Sequence, residues 1–351
     1  MRRLLAGVLA ALVLVPLVAG PSGALPGGTR VETFKGGLDF PIDMAWVAGS
    51  RKVFFTEKDG KIRVIFQRRL LAQPCRVLPT NSENERGVLG IALHPRFKKN
   101  HLLYVYWTKA DPLDNRVTRF RVRDNQCVDA TPIVTGIPTL GVSNHNGGQL
   151  EFVDGKLFVS TGEAEDRARA QDTSSRLGKI LRYNPNGTVP TGNPFGRHNP
   201  VWSYGHRNPF GLTHKPGTSL IYSTENGPNC DDELNHIKRG RNYGWGAAYQ
   251  CGTAGVGPNP EPPIFRWETV IVPTDPLWYS GRMKSLSGSI YVGNFGSGGM
   301  LRRYRMNSTG TAVTGTSNVW DAGEGITSVD KGPGGWLYIV TGSAIKRIVP
   351  N

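Results

Sequence analysis

Along this chain short runs of apolar residues alternate with polar ones at a period of two, and turn residues cut them every few positions. IDMAWVAGSRKVFFTEKDGKIRVI, beginning near Ile42, reads as three consecutive strands, and the same order recurs from Gly87, Gly147, Phe210, Ser285 and Gly325. Runs of this length bounded by Gly, Asn, Asp and Pro predict strands joined by tight turns. No segment past the N-terminal apolar stretch sustains a helical period over three turns. A unit of three or four strands cannot bury both faces alone, so the six units must stack. Radial stacking predicts an all-β, six-bladed β-propeller. The early strand Val31 to Phe34 is expected to pair with the last unit and close the ring, which removes exposed sheet edges. A pair of β-sandwiches is the rival architecture, but no linker or shift of composition divides the chain.

Residues 1–24 change the picture at the N-terminus. Arg2 and Arg3, an apolar run from Leu4 to Val18 and the small residues Ser22, Gly23 and Ala24 predict a secretory signal, leaving 25–351 as the propeller. The run is shorter than the roughly 20 residues needed to span a bilayer, and Pro16 breaks it. The mature chain is therefore expected to be secreted or periplasmic, without a stable membrane anchor. Export suits the cysteines: Cys75, Cys127, Cys230 and Cys251 form an even set that suggests two disulfides. Three pairings are open, and proximity in sequence favours Cys75 with Cys127 and Cys230 with Cys251. The net charge of +15 favours anionic partners, yet the basic residues are scattered and no nucleic-acid module is present, so no nucleic acid is expected.

The candidate chemistry lies in the loops between units. His145 sits in SNHNGGQLEF, just before a strand of the third unit, and Glu163 follows the next strand in STGE. A neutral imidazole is a good general base near pH 7, and a neighbouring carboxylate would fix its tautomer. Arg207 and Asn208 open the fourth unit within YGHRNPFG. The planar donor fork of Arg207 suits a carboxylate or quinone oxygen, although an arginine bridging two blades through backbone carbonyls is an equal reading. Gly227 and Pro228 follow Asn226 in a turn able to present carbonyl oxygens, which hard cations such as calcium accept. The following run, Asp231, Asp232 and Glu233, is expected to be a solvated face or a support for that metal.

ERGVLGIALHPRF at 85–97, NHNGGQL at 144–150, GKILRYNPNGTVP at 178–190, WSYGHRNPFGL at 202–212 and ENGPNCDDELNHIKRGRNYGW at 225–245 together resemble one family. It is the soluble quinoprotein sugar dehydrogenases, six-bladed propellers that use pyrroloquinoline quinone (PQQ) and Ca2+. The resemblance implies oxidation of an aldose-type sugar at its anomeric carbon, with electrons passing on to an external acceptor. It implies that His145 is the base, that Arg207 faces substrate and quinone, and that Asn208, Asn226 and Thr269 contact the quinone. Asn144, Glu85 and Trp267 would contact the sugar, Gly227 and Pro228 would ligate calcium, and Glu233 and Tyr243 would lie near a second, structural calcium.

The chain also departs from that family. Glu163 and Asn144 replace aspartates, Asn226 replaces a glutamine, and Glu85 stands where a glutamine occurs. GNFGSGG at 293–299 lacks the expected lysine, and Gly325 and Thr327 stand at two arginine positions. Those cations hold the quinone's carboxylates. At about 1.5–3 kcal/mol for each charge-assisted hydrogen bond, losing three costs on the order of 4–9 kcal/mol, or roughly three to six decades of affinity. Arg302 and Arg282 are the neighbouring cations available as substitutes. A catalytically silent propeller that binds a glycan or protein is the alternative function, and a calcium-dependent lactonase a third.

Overall fold

The computed structural model describes residues 25–296 and 298–351, so the signal segment expected at 1–24 lies outside the described residues. Six small antiparallel sheets form a ring, which is the six-bladed β-propeller that the sequence pattern predicts. The innermost strands are Pro41–Trp46, Val88–Leu93, Leu150–Val153, Pro209–His214, Leu277–Tyr279 and Ile326–Lys331. Thr29–Gly36 pairs antiparallel with Ala344–Pro350, so the first strand completes the last blade and closes the circle.

The alternation of apolar and polar residues buries both faces of each blade. Six apolar clusters result, one at each blade interface. Phe54 and Val64 of the first blade meet Leu103 and Phe120 of the second. Phe34 and Tyr338 of the sixth blade meet Val53 and Phe55 of the first. Burial of side chains this large contributes about 1.5–3 kcal/mol each.

Polar groups stitch the inner strands together across blade boundaries. Thr56 Oγ1 donates to the Leu89 carbonyl at 2.7 Å, Asp43 Oδ2 accepts from the Ile91 amide at 2.9 Å, and Thr327 Oγ1 donates to the Pro41 carbonyl at 3.0 Å. Ser328 Oγ lies 2.9 Å from Asp43 Oδ1 and 3.0 Å from Asp275 Oδ2. One hydroxyl proton serves only one carboxylate, so both contacts are hydrogen bonds only if one carboxyl carries a proton. Burial pushes both groups above the usual carboxylate range, and for Asp275 the Asp43 charge adds to it.

Two features differ from the sequence pattern. The fifth blade begins at Leu277 rather than near Ser285, because its inner strand is only three residues long and lies before a 3-10 turn. Outer strands such as Val313–Asp321 carry no apolar alternation, since they are half exposed. The disulfides join Cys75 to Cys127 and Cys230 to Cys251, the pairing that proximity favours. No helix of the described residues is long and apolar enough to cross a membrane.

Candidate active site

At one mouth of the ring the loops entering and leaving the inner strands enclose a pocket of about 640 Å3. His145, Glu85, Asn144, Arg207, Asn208, Asn226, Gly227 and Pro228 all line it, so the structure brings together most of the residues singled out in the sequence. Its size suits a small-molecule ligand.

The polar half is built around His145. Its backbone has a φ of 54°, in the left-handed region, and Gly162 permits this, because a Cβ there would come within 2.0 Å of the His145 carbonyl oxygen. Nδ1 of His145 lies 2.7 Å from Glu163 Oε1, and Glu163 is 1% exposed. With Nδ1–H donating to that carboxylate, the Nε2 lone pair remains free, and Nε2 makes no hydrogen bond among the described residues. Glu85 braces the same loop: its Oε2 accepts from the His145 amide at 2.7 Å and from Asn208 Nδ2 at 3.1 Å. Asn208 Oδ1 in turn accepts from the Gly147 amide at 3.0 Å. Asn144 lines the rim but spends its amide on Glu165.

Arg207 joins this group to the next turn. Its Nη1 donates to the Asn226 carbonyl at 2.9 Å and its own carbonyl accepts from the Glu163 amide, so bridging through backbone carbonyls is part of its role. Nε is buried without a partner among the described residues, and burial pulls the guanidinium below its ordinary pKa while Glu163, Glu85 and Glu225 oppose the shift. Beneath it lies a polar chain absent from the sequence reading. Ser203 Oγ contacts His206 Nε2 at 2.9 Å, His206 Nδ1 contacts Glu225 Oε2 at 2.8 Å, and Glu225 Oε1 accepts from the Arg207 amide. Ser203 and His206 are fully buried, so this chain holds Arg207 in place rather than meeting substrate.

Asp232 organises the opposite wall. Sequence placed it on a solvated face or beside a metal, but it is fully buried. Oδ1 accepts from the Gly227 amide at 2.8 Å, and Oδ2 accepts from the amides of Ile271 and Val272 at 2.6 and 2.9 Å. It therefore ties the Gly227–Pro228 turn to the loop of Val270 and Val272. Burial raises its pKa. Val272 has a φ of 57°, a conformation that costs a β-branched residue on the order of 1–3 kcal/mol and persists because Asp232 holds its amide.

Trp267 and Thr269 are not where the resemblance implied. Trp267 is buried between the fourth and fifth blades, where its Nε1 donates to Tyr304 OH at 2.8 Å, and neither residue lines the pocket. The residues that do line it there are Val270 and Val272, with Phe40 and Phe295 beside them. The substitute cations fail likewise. Arg302 turns to Asn294 Oδ1 at 2.6 Å, Arg282 lies over the Trp336 ring, and neither lines the pocket. Glu233 and Tyr243 line a separate small cavity behind the Gly227–Pro228 turn.

The donor set fits a hard cation. The carbonyl oxygens of Gly227 and Pro228 accept no hydrogen bond among the described residues, and Asn226 Oδ1 is buried without a partner beside them. Arg207 and Asn208 fit the dione edge of a quinone. The cationic side chains lining the pocket are Lys58 and Arg207, and Lys58 is held by the Ser82 carbonyl.

The comparisons agree with this architecture. The family described as Glucose / Sorbosone dehydrogenase matches residues 38–349. The aldose sugar dehydrogenase of Escherichia coli is 28% identical over 354 residues, covering 93% of this chain and 94% of that protein. A glucose dehydrogenase-type oxidoreductase structure from Thermus thermophilus is 32% identical with a TM-score of 0.83, covering 92% of this chain and 100% of that one. The PQQ-bound aldose sugar dehydrogenase structure of Streptomyces coelicolor is 28% identical with a TM-score of 0.79, covering 93% and 99%. With its fold, its motif order and this match over most of its length, the chain belongs to the glucose/sorbosone dehydrogenase family of oxidoreductases.

Proposed function

We propose that this chain is an exported, calcium-dependent quinoprotein dehydrogenase that oxidises an aldose-type sugar at its anomeric carbon. The observation that carries this reading is the His145–Glu163 pair at the wall of a pocket of about 640 Å3. The anomeric hydroxyl gives its proton to Nε2 of His145, and the buried Glu163 carboxylate stabilises the imidazolium that forms. Glu85 and Asn208 fix the loop that aims the imidazole, and Arg207 orients an oxygen of substrate or quinone. Asn226 and the carbonyls of Gly227 and Pro228 would hold calcium. A bound quinone would supply the two-electron acceptor for the C–H hydride, with the sugar released as a lactone and the electrons passed to an external acceptor. Two disulfides suit an oxidising, extracytoplasmic compartment.

Purified protein given calcium, a quinone (PQQ or an uncharged benzoquinone) and a panel of aldoses is expected to reduce an artificial acceptor. No turnover together with no quinone binding overturns the reading. A second reading, a silent propeller that binds a glycan or protein, is favoured by the lack of a cation cluster at the ring end of the pocket; sugar-dependent turnover that collapses in His145→Ala counts against it.

A further inference from the structure

The half of the pocket facing the inner strands of the first, fifth and sixth blades is mostly apolar, and its one cation among the described residues is Lys58. Val270, Val272 and Phe295 are 42%, 37% and 45% exposed, which places three of the few exposed large apolar side chains of the described residues on this one rim. Phe40 meets Phe295 edge to face at 5.8 Å, and Phe40 too has a left-handed backbone, with a φ of 44°. The arrangement is interlocked. A Cβ at Gly325 would come within 2.6 Å of the Phe295 ring, so the ring occupies the space through which a longer side chain at 325 would pass. Thr327 lines the pocket floor, with its hydroxyl committed to the Pro41 carbonyl. Of the two pocket cations, Lys58 is held by the Ser82 carbonyl and Arg207 gives Nη1 to the Asn226 carbonyl, while the acids Glu85 and Asp232 line the same pocket.

An anionic ring system gains nothing from such a wall and loses the hydration of each carboxylate against it. A flat, uncharged ring buries its faces there and still presents a carbonyl to Arg207 and to a cation held at the oxygen-lined turn. We propose that this pocket selects a neutral, carboxylate-free quinone over the tricarboxylate PQQ, with Phe295 and Phe40 as the specificity-determining residues. The inference rests on the quinone-dependent reading above and refines its ligand class.

The test is titration of the calcium-loaded full chain with PQQ and with 2,3-dimethoxy-5-methyl-1,4-benzoquinone, followed by tryptophan fluorescence and calorimetry at low and high salt. Trp245, which stacks on Arg207 at 5.4 Å, is the built-in reporter. The benzoquinone is expected to bind at least about tenfold more tightly than PQQ, and Phe295→Ala to weaken it by about tenfold or more while leaving PQQ unimproved by more than a few-fold. Thr327→Arg is expected to tighten PQQ by about ten- to a hundredfold in a salt-sensitive way, and this variant keeps the test valid should Phe295→Ala misfold. Tight binding of PQQ by the unaltered chain with the benzoquinone excluded overturns the inference and leaves the dehydrogenase reading standing. Binding of neither quinone overturns both.

Discussion

The two halves of the pocket are held together by different physics. The half around His145 is a polar network in which Glu163, Glu85, Asn208 and Arg207 each bond a neighbour, with Glu163 Oε2 and Arg207 Nε left unpartnered among the described residues. The half around Phe295 is apolar, and two of its residues hold left-handed backbone conformations. A network of that kind fixes where a proton goes, whereas an apolar wall fixes only what shape and charge is tolerated. On the proposed reading, proton handling and ligand selectivity in this chain are carried by separate blades.

The strongest test of the proposed metal at the polar half is chelation. Chelation is expected to bring sugar-dependent turnover below detection, and added calcium to restore it, because only oxygen donors remain at the Asn226–Pro228 turn. Next in size, Glu163→Gln keeps a polar partner for Nδ1 but removes the charge opposite the imidazolium, so kcat is expected to fall about tenfold or more in steady-state assays with little change in sugar KM.

Asp232→Asn tests the link between the halves. It retains an acceptor for some of the three amides but not all. Calcium affinity by calorimetry is expected to fall several-fold and unfolding free energy by about 1–3 kcal/mol, with both effects arising from one substitution. The smallest effect concerns the ring itself. Burial raises Asp43 and Asp275 in the folded chain, so the folded state binds more protons than the unfolded one. The stability these groups contribute is full below the usual Asp pKa and declines as pH rises above it. Asp275→Asn can donate to Ser328 and still accept from the Leu212 amide, so it is expected to flatten that decline in thermal melts across pH 4–8 and to cost little stability at neutral pH.

How much of this was legible in sequence follows the same division. Short apolar runs exposed most of the inner strands, because those strands are buried, and they missed the three-residue Leu277–Tyr279 and outer strands such as Val313–Asp321, which are half exposed. The polar site was readable because His145, Arg207 and the Asn226–Pro228 turn sit in motifs with a fixed local order. Asp232 was misread because an acidic run ordinarily faces solvent, and nothing local announces that three distant amides converge on it. The apolar rim left a trace only as an absence of cations at 293–299, 325 and 327. Phe40 and Phe295 are 255 residues apart in the chain and meet only when the first strands close against the last blades.

The measurement that bears most directly on the account is kcat/KM for an aldose against pH, with calcium and a saturating quinone, for the unaltered chain and for His145→Ala. The account predicts that His145→Ala is slower by about 10²- to 10⁴-fold and that its pH profile differs from the parent's. An alanine variant with the parent's rate and the parent's profile would contradict it.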